Sequence, residues 1–480
     1  MVVIYDCIII GAGPAGLTFA TLADKNENIL LIDKDDVIGG CHKVNRQKYE
    51  NEYYFCEHGP RVYFNNYVNL MMILNTIGLK FNQIFKKFNL TFIEILNEIN
   101  KNNYFSIREI FIIIKDFMTL MINSNYKKNV SMKNYMDDNN FTDKAKNYID
   151  RMCRLMDGGD SSKISFHTYF NIISETVLYN IYQPSKPLDE SLFFLWKKYL
   201  KKRNITFKLK TGLKRIIENT ENITKIETDN NEIIQTKKLI LALPPENLIK
   251  ILSNSSDNIK NSFINFNSLK TYSKNTEYNE YISISFHWNF KVDINTKLYG
   301  MYSNTEWGIG AIVLSDYMTF KESQSITVIS CAITITDAKS KNINKTANEC
   351  NDKNELIDEV FRQLKVIYND LPVPTLAFIN NNYLNNEWKS NETAFIKTSN
   401  YDYYIKPHNN KNIYTLGTHN GYAKVHFTSM ESAVSNAIKL VNIIYNKNYN
   451  IKRPYNIRDL LIIIIIFLII IAIVNLYIFK

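Results

Sequence analysis

The sequence YDCIIIGAGPAGL, residues Tyr5–Leu17, decides how the rest of the chain is arranged. An apolar strand ends in a glycine-rich turn, and the turn opens a helix at Pro14. Gly11 permits the tight turn, Gly13 lets the main chain approach a pyrophosphate, and Gly16 lets the helix pack closely on the strand. The helix N-terminus presents free N–H groups and the positive end of its dipole, which together attract phosphate.

A second apolar run, Asn28–Ile32, ends in Asp33, which follows Gly11 by 22 residues. At this spacing an acidic side chain accepts hydrogen bonds from the ribose hydroxyls of a dinucleotide. This order of elements predicts a dinucleotide-binding β-α-β unit: a strand, a turn, a helix, a second strand and an acid at its end. The alternative is a glycine-rich turn in some other α/β domain.

Composition describes a globular protein of two or three domains, with 480 residues, 45% hydrophobic and 22% charged. The net charge of +10 is spread over many lysines, and no basic run is interleaved with aromatic residues. We therefore predict no nucleic-acid partner. The six cysteines are scattered without C-x-x-C spacing, which favours reduced thiols and indicates no metal site.

Two further segments make the pattern specific: the pair Gly39-Gly40, and the sequence EHGPR at Glu57–Arg61. With the dinucleotide turn and Asp33, they resemble the flavin-containing amine oxidase superfamily, which includes amine oxidases, protoporphyrinogen oxidases and phytoene-type desaturases. In that family the glycine pair is usually followed by arginine, where this chain has Cys41. Three cations are candidates for the missing phosphate contact: Lys34, Arg46 and Arg61.

The C-terminal part adds a third resemblance. The sequence FTSMESAV, Phe427–Val434, is similar to the last helix of phytoene-type desaturases, and Thr428-x-x-Glu431 matches a capping box. The resemblance implies that this helix N-terminus stabilises negative charge on a reduced flavin. Thr418 stands where the family has aspartate, and 412–434 contain no cysteine, so the flavin link is expected to be non-covalent.

The resemblance implies non-covalent FAD and a set of cofactor-binding residues: Gly11, Gly13, Pro14, Ala15, Gly16, Asp33, Lys34, Gly39, Gly40, Cys41, Gly59, Pro60, Arg61, Leu213 (through its main chain, to adenine), Gly417, Thr418, Ser429 and Met430. No catalytic residue is assigned. The candidates are Arg61 beside an anionic group, His58 as a proton carrier, and an aromatic wall of Trp307, Trp388 and Tyr422, with core packing or another structural role as the alternative.

The expected fold is α/β: a Rossmann-like FAD-binding domain of the GR2 type, with a discontinuous α+β substrate domain and a C-terminal transmembrane helix. We predict the FAD-binding domain in three parts (1–80, 189–260 and 406–450), with the helical part of the substrate domain at 81–188 and its sheet at 261–405. The apolar stripes of the helical part, including a helix over Phe105–Ile122, are expected to pack in the core. Separate strands are predicted at 222–228, 232–235 and 238–243.

The tail carries no charged residue from Leu460 to Phe479. Twenty residues at about 1.5 Å each reach about 30 Å, the thickness of a bilayer core. Lys452, Arg453 and Arg458 precede the run. We predict a single-pass transmembrane tail anchor over 460–479 with the N-terminal domain in the cytosol; the alternative is a buried core helix.

These features together predict an FAD-dependent oxidoreductase that removes a hydride from a substrate carbon to flavin N5, by C–N or C–C oxidation. Oxygen or a membrane quinone would take the electrons. A membrane anchor favours a lipophilic small-molecule substrate. Two alternatives stay open: an isomerase like the flavin-dependent sugar-nucleotide mutases, and a non-catalytic FAD-binding protein attached to a membrane. Substrate identity and oligomeric state are not specified by the sequence.

Overall fold

The computed structural model describes residues 3–89, 92–263, 266–275, 281–294, 305–390, 412–421, 423 and 425–478. Its strands are β1 Ile4–Ile10, β2 Ile29–Ile32, β3 Val44–Tyr49, β4 Glu52–Glu57, β5 Tyr63–Phe64, β6 Phe85–Lys87, β7 Ile181–Pro184, β8 Thr206–Lys208, β9 Leu213–Asn219, β10 Thr224–Thr228, β11 Ile233–Leu241, β12 Ile282–Trp288, β13 Ile309–Val313, β14 Thr327–Ile333, β15 Leu376–Ile379, β16 Asn382–Leu384, β17 Glu387–Lys389 and β18 Ile413–Thr415.

The helices are α1 Pro14–Leu22, α2 Val68–Thr76, α3 Phe81–Ile84, α4 Phe92–Lys101, α5 Ile107–Ile122, α6 Met132–Asp138, α7 Asp143–Asp157, α8 Phe166–Thr176, α9 Leu192–Lys202, α10 Pro245–Ser253, α11 Asp257–Ser262, α12 Phe266–Asn275, α13 Lys353–Ile367, α14 Met430–Tyr445 and α15 Ile457–Ile478.

The largest sheet has the strand order β8-β2-β1-β11-β10-β9, and β18 pairs with the other end of β11. Strands β8, β2, β1, β11 and β18 run parallel, whereas β10 is antiparallel to both β11 and β9. All four residues of β2 are buried, as expected for a parallel strand covered on both faces. Helix α1 covers one face together with α14, and α10 covers the meander on the other.

A second sheet, antiparallel in the order β13-β14-β12-β15, has its own hydrophobic core against α13. Strand β4 of the β3–β4 hairpin packs against β12 of this sheet. The hairpin therefore lies between the large parallel sheet and the antiparallel sheet, and the chain from β4 onward runs along their boundary.

Most elements lie where the sequence predicts them. The β-α-β unit is confirmed as β1, α1 and β2, and the helix ahead of Gly78 is confirmed as α2. The separation of 232–235 from 238–243 is wrong, because β11 runs unbroken from Ile233 to Leu241. The first part of β11 pairs with β10 and its end pairs with β18. The two parts therefore have different surroundings, and the sequence pattern changes between them as it would between two strands. The domain boundaries stay a prediction.

The cap predicted for the last helix is also wrong. The N-cap of α14 is Ser429, whose hydroxyl accepts from the N–H of Ser432, and Ser432 Oγ accepts from the N–H of Ser429. Glu431 instead turns away to accept hydrogen bonds from the N–H groups of Asn69 and Leu70 at the start of α2. A buried carboxylate therefore caps a neighbouring helix rather than its own.

Helix α5 corrects the expectation that its apolar stripe packs in the core. Only part of that stripe faces inward, whereas Ile107, Phe111, Ile114 and Ile122 are exposed. The buried residues of the helix are two acids, Glu109 and Asp116, together with Leu120 and Met121.

The tail forms helix α15, with Ile457 and Leu461 packed against the core of the helical region. Across the residues that the structure describes, no helix combines the length and the apolarity that crossing a membrane requires. The transmembrane helix predicted over 460–479 is therefore not confirmed.

Arg46 holds the hairpin to its surroundings. Its guanidinium donates to both carboxylate oxygens of Asp189 at 2.8 and 2.9 Å and to Glu190 at 3.0 Å, and it forms an ion pair with Glu322. Because Glu322 precedes β14 and Asp189 precedes α9, one side chain joins three segments at the boundary between the sheets.

We predict that Arg46→Met lowers the free energy of unfolding by about 3 kcal/mol, because it leaves neighbouring carboxylates without their cation. Chemical denaturation followed by circular dichroism measures the change. The matched control is Lys237→Met, which removes an exposed ion pair with Asp6 and should cost less than about 1 kcal/mol. Equal losses in the two variants would contradict this role for Arg46.

Candidate functional site

The glycine-rich turn between β1 and α1 is held by main-chain contacts. Gly11 has a φ of 105°, and a β-carbon added to it would lie less than 3.0 Å from the carbonyl oxygen of Ala242. A β-carbon on Gly16 would lie equally close to the carbonyl oxygen of Gly11. Glycine is required at both positions because the main chain leaves no room for a side chain.

Helix α1 starts without a side-chain cap. Its N-cap is Gly13, which has no side chain, and Pro14 at the first position has no N–H. The N–H groups of Ala15 and Gly16 therefore remain at the helix N-terminus as donors for an anion. All nine residues of the helix are buried, so the helix is enclosed by the rest of the fold.

Asp33 lies at the end of β2 as predicted, but its carboxylate already bonds to main-chain amides. Oδ2 accepts from the N–H of Ala12 at 2.6 Å and Oδ1 accepts from the N–H of Asp35 at 2.9 Å. Burial raises the pKa of Asp33 despite these hydrogen bonds. The carboxylate thus fixes the turn, and its contact with a ribose stays a prediction.

The glycine pair lies directly on the dinucleotide turn. Gly39 donates its N–H to the carbonyl oxygen of Ala12 at 2.9 Å, and a β-carbon on Gly40 would lie 3.0 Å from the Cα of Gly13. Both glycines have positive φ, 127° and 57°. The two glycine turns therefore form one continuous main-chain cradle.

The three cations proposed to replace the missing arginine differ in their surroundings. Arg46 is committed to carboxylates, and Lys34 is half exposed, 3.7 Å from Asp35. Arg61 reaches the cradle, because its guanidinium donates to the carbonyl oxygen of Cys41. Arg61 is thus the cation best placed to compensate for the cysteine.

The segment that leads to Leu213 lies beside Asp33. Thr211 donates its N–H to the carbonyl oxygen of Asp33 at 2.9 Å, and Lys210 donates to that of Asp35 at 3.0 Å. The start of β9 therefore adjoins the acid at the end of β2. The main-chain contact of Leu213 with an adenine stays a prediction.

At the C-terminal side, β18 leads into a short 3-10 helix, Thr418–Asn420. Gly417 packs against the ring of His419, which is buried and whose pKa burial lowers to about 3. Met430 is buried at the start of α14, next to the N-cap Ser429. The parts of the predicted site thus come from stretches that lie far apart in the sequence.

Beyond the cradle, a small cavity lies at the end of β4, and we call it the cleft. Polar and apolar side chains both line it: His42, Val44, Phe55, Glu57, Arg61, Tyr63, Gln183, Pro184, Leu188 and Met318. Gln183 donates its side-chain N–H to the carbonyl oxygen of Arg61 at 2.6 Å. His42 and Tyr63 are linked at 3.2 Å between Nδ1 and the phenol oxygen.

Glu57 is the acid of this cleft. It is buried at the end of β4, and its Oε1 makes no hydrogen bond of normal geometry to the described residues. Burial raises its pKa to about 7, although Ser330 and Arg61 favour the charged form. Burial and the charge of Arg61 lower the pKa of His42, so the imidazole is neutral.

Three of the predicted catalytic candidates, His58, Trp307 and Trp388, do not line the cleft. His58 is buried and does not line the cleft; its Nδ1 lies 3.0 Å from Ser390 Oγ, and its ring stacks on Tyr281. Trp307 and Trp388 lie in the core of the antiparallel sheet, with their indole N–H groups bound to the carbonyl oxygens of Ala338 and Cys350. Both tryptophans therefore pack in the core, which is the alternative to a place in the aromatic wall.

Tyr422, the third member of the predicted wall, lies outside the described residues. The cleft itself contains residues to which the sequence assigned no role: Glu57, His42, Tyr63 and Gln183. A signal for Glu57 was available, because a charged residue ends the buried run YFCE, Tyr54–Glu57, just before the Gly-Pro-Arg segment.

The residues of the cradle fit the dinucleotide that the resemblance implies. The donors at α1 are main-chain amides, Gly13 and Gly40 have no side chains, and Arg61 stands at the end of the cradle towards the cleft. A cradle of this kind binds an anion through N–H groups and excludes the side chains that would block its approach.

The comparisons with known proteins agree with this geometry. A family model described as an NAD(P)-binding Rossmann-like domain matches residues 9–77. No curated protein matches the chain by sequence. Solved structures do match over nearly the whole chain at low sequence identity.

A double mutant of putrescine oxidase aligns over 93% of this chain and all of its own, with a TM-score of 0.64 at 12% identity. Cyclohexylamine oxidase from Brevibacterium oxydans IH-35A aligns over 92% and 99%, with a TM-score of 0.61 at 12% identity. A protein from Exiguobacterium sp. 255-15, provisionally assigned as a protoporphyrinogen oxidase, aligns over 93% and 100%, with a TM-score of 0.61 at 11% identity. The Rossmann-like α/β fold predicted from the motifs is thereby confirmed, and this chain shares its fold with these three solved structures over nearly its whole length.

Proposed function

We propose that this protein binds FAD non-covalently along the cradle and is an FAD-dependent oxidoreductase that oxidises a small molecule at a C–N or C–C bond. The observation that carries the proposal is the continuity between cradle and cleft. Gly40 touches Gly13 at one end, and Arg61 joins the cradle at Cys41 to the cleft at the other. Bound FAD would supply a two-electron acceptor, which the chain's own side chains do not.

The chain's part begins with binding. The N–H groups at the start of α1 hold the pyrophosphate, because they combine unpaired donors with the positive end of the helix dipole. Arg61 supplies the positive charge that the family places at the position of Cys41. Its guanidinium is held by the main chain of Cys41 and its own carbonyl oxygen by Gln183, so the side chain is fixed before any ligand arrives.

Glu57 is the residue of the cleft that is suited to proton transfer. Its carboxyl has a pKa of about 7, so it can hold or release a proton near neutral pH. His42 is neutral and faces Tyr63, and Arg61 is the nearby cation that favours ionisation of Glu57. We assign Glu57 the role of holding the proton exchanged with a substrate in the cleft.

The lining of the cleft indicates the substrate class. Val44, Phe55, Leu188 and Met318 provide apolar surface, and the polar groups cluster around Glu57 and Arg61. A largely apolar molecule with one polar group fits such a mixture. Two of the similar structures are oxidases of amines, putrescine oxidase and cyclohexylamine oxidase, so lipophilic amines are the first compounds to test.

The test of the proposal is the spectrum of the purified protein under anaerobic conditions. We expect bound flavin that dithionite bleaches and that one member of a panel of lipophilic amines and porphyrinogens also bleaches. Return of the oxidised spectrum with peroxide release on admitting air would identify oxygen as acceptor, and its return with a quinone alone would identify the quinone. Turnover of a sugar nucleotide with no net change in redox state would contradict the oxidoreductase and favour an isomerase. Bound flavin that no compound reduces would favour a non-catalytic protein.

The pyrophosphate contact can be tested separately from folding. Gly13 has a φ of −77°, and a β-carbon there would meet only Gly40, at ordinary contact distances of 3.6 Å or more. We predict that Gly13→Ala preserves the melting temperature of the flavin-free protein but weakens FAD binding at least about tenfold, because the methyl group obstructs the pyrophosphate. Quenching of FAD fluorescence on titration measures the affinity.

The matched control is Gly159→Ala, which adds a methyl group far from the cradle with nearest contacts of 3.4 Å or more. It should bind FAD like the natural protein. Normal FAD affinity in Gly13→Ala would place the dinucleotide elsewhere.

The protonation of Glu57 predicts a pH dependence of stability. Its pKa is raised from 4.5 to about 7 in the folded protein, so its contribution is fully present below pH 4.5 and is lost as the pH rises through 7. We predict that raising the pH from about 5 to about 8 destabilises the natural protein relative to Glu57→Gln by about 3 kcal/mol, since the amide stays neutral.

Denaturant unfolding of both proteins at the two pH values measures this difference. The control is Glu387→Gln, which removes an exposed carboxylate and should leave the pH profile unchanged. Parallel profiles for Glu57→Gln and the natural protein would show that Glu57 is ionised throughout this range and holds no proton.

A further inference from the structure

Helix α5 differs from an ordinary surface helix, because both of its acids are buried while six of its apolar residues are exposed. Its two acids, Glu109 and Asp116, point inward and are almost fully buried. Glu109 accepts hydrogen bonds from the N–H of Ser106 and of Thr142, each at 2.6 Å. A soluble helix normally buries its apolar side chains and exposes its charged ones.

The carboxylate of Asp116 also has hydrogen-bonding partners. It accepts from the phenol of Tyr126 at 3.0 Å and pairs with Lys127 Nζ at 2.7 Å. The inner face of α5 thus combines these two bonded acids with the buried Leu120 and Met121, whereas six further apolar residues are exposed.

The outer face of α5 combines apolar and cationic side chains. Ile107 is 87% exposed, Phe111 70% and Ile122 80%, and Ile110, Ile114 and Met118 fill the positions between them. Arg108 and Lys115 are exposed on the same helix, whereas both of its acids are buried. Apolar residues flanked by cations with no exposed anion are characteristic of helices that lie in a membrane interface.

A neighbouring helix extends this surface. Helix α15 packs against α5 and α8, with Leu461 against the core of the helical region. Its residues from Ile462 to Ile471 are each between 41% and 61% exposed. The outer face of α5 and these residues of α15 belong to two helices in contact, and together we call them the apolar platform.

We propose that the apolar platform lies on an anionic lipid bilayer, with α5 parallel to the membrane plane and its outer face in the headgroup region. This inference is independent of the proposed oxidoreductase activity. It requires no helix long enough to cross the bilayer, because an interfacial helix buries only one face, to a depth of about 5–10 Å.

A lipid surface fits the platform better than a second copy of the chain. Each copy carries a net charge of +10, so two copies would repel each other, whereas anionic lipid attracts the same charge. The platform also lacks the polar rim expected of a protein interface, because its exposed residues on α5 other than the two cations are all apolar. Anionic lipid is characteristic of the cytosolic leaflet, so the inference places the folded chain on the cytosolic side.

The experiment uses a tryptophan as a depth probe in the full chain. All four natural tryptophans are almost fully buried, so they report little on lipid contact. Phe111→Trp places a fifth in the outer face of α5, and Val373→Trp, at a position 75% exposed on another surface, is the matched control. Vesicles contain phosphatidylcholine with about 30% phosphatidylserine, to match an anionic leaflet, and carry bromine on their acyl chains.

We expect the tryptophan at 111 to shift its emission to the blue and to be quenched by the brominated lipid, and the tryptophan at 373 to show neither change. Quenching should weaken in vesicles of phosphatidylcholine alone and at high salt. A probe at 111 that the brominated acyl chains do not quench would overturn the proposal, even if the protein sediments with the vesicles through α15.

A second variant measures how much Phe111 contributes to the free energy of membrane binding. Phe111→Asp should weaken sedimentation with the anionic vesicles about tenfold, because burial of one large aromatic side chain is worth at least about this factor. Val373→Asp should sediment like the natural protein. Sedimentation velocity without lipid completes the test: a dimer that Phe111→Asp dissociates would overturn the lipid assignment in favour of self-association.

Discussion

Main-chain atoms come closer together around Gly11 and Gly16 than any side chain permits. The end of β1, the start of α1 and Ala242 at the end of β11 meet in this contact, and Ala242 also donates its N–H to the carbonyl oxygen of Ile10 at 2.8 Å. Because Ala242 lies far along the chain, this contact can form only when the parallel sheet has assembled. The orientation of the helix N-terminus that faces the predicted pyrophosphate site, and with it the cradle, therefore depends on the long-range pairing of β1 with β11.

The elements that could be predicted are those with a local cause. The strand before Gly11, the helix at Pro14 and the strand before Asp33 follow from periodicity and from turn residues, which act over a few residues. The errors have a long-range cause. Glu431 satisfied the spacing of a local cap, but the start of α2 offered it two N–H groups in a buried setting. A sequence pattern indicates which hydrogen bonds are possible, and tertiary packing selects among them.

In the candidate site, too, the features with a local cause could be predicted and those with a long-range cause could not. The glycine pair at 39–40 was predictable because the main chain requires glycine there, whereas the substitute for the missing arginine was not. Three cations satisfied the sequence equally, and only the fold shows that Arg46 is held by acids from two other segments while Arg61 reaches Cys41. The same holds for Trp307, whose core environment is created by a sheet that forms from distant strands.

Helix α5 illustrates what a buried charge implies for the surface opposite. Burying Glu109 and Asp116 is costly unless every oxygen is bonded, and the structure supplies these bonds from a cap, a phenol and a lysine. Each acid takes an inward position that an apolar side chain would otherwise fill, beside the buried Leu120 and Met121. The remaining apolar residues, among them Ile107, Phe111 and Ile122, are exposed to water, where they gain nothing from the hydrophobic effect. A contiguous exposed apolar face is characteristic of an interaction site, and the proposed bilayer is the apolar phase that would cover it.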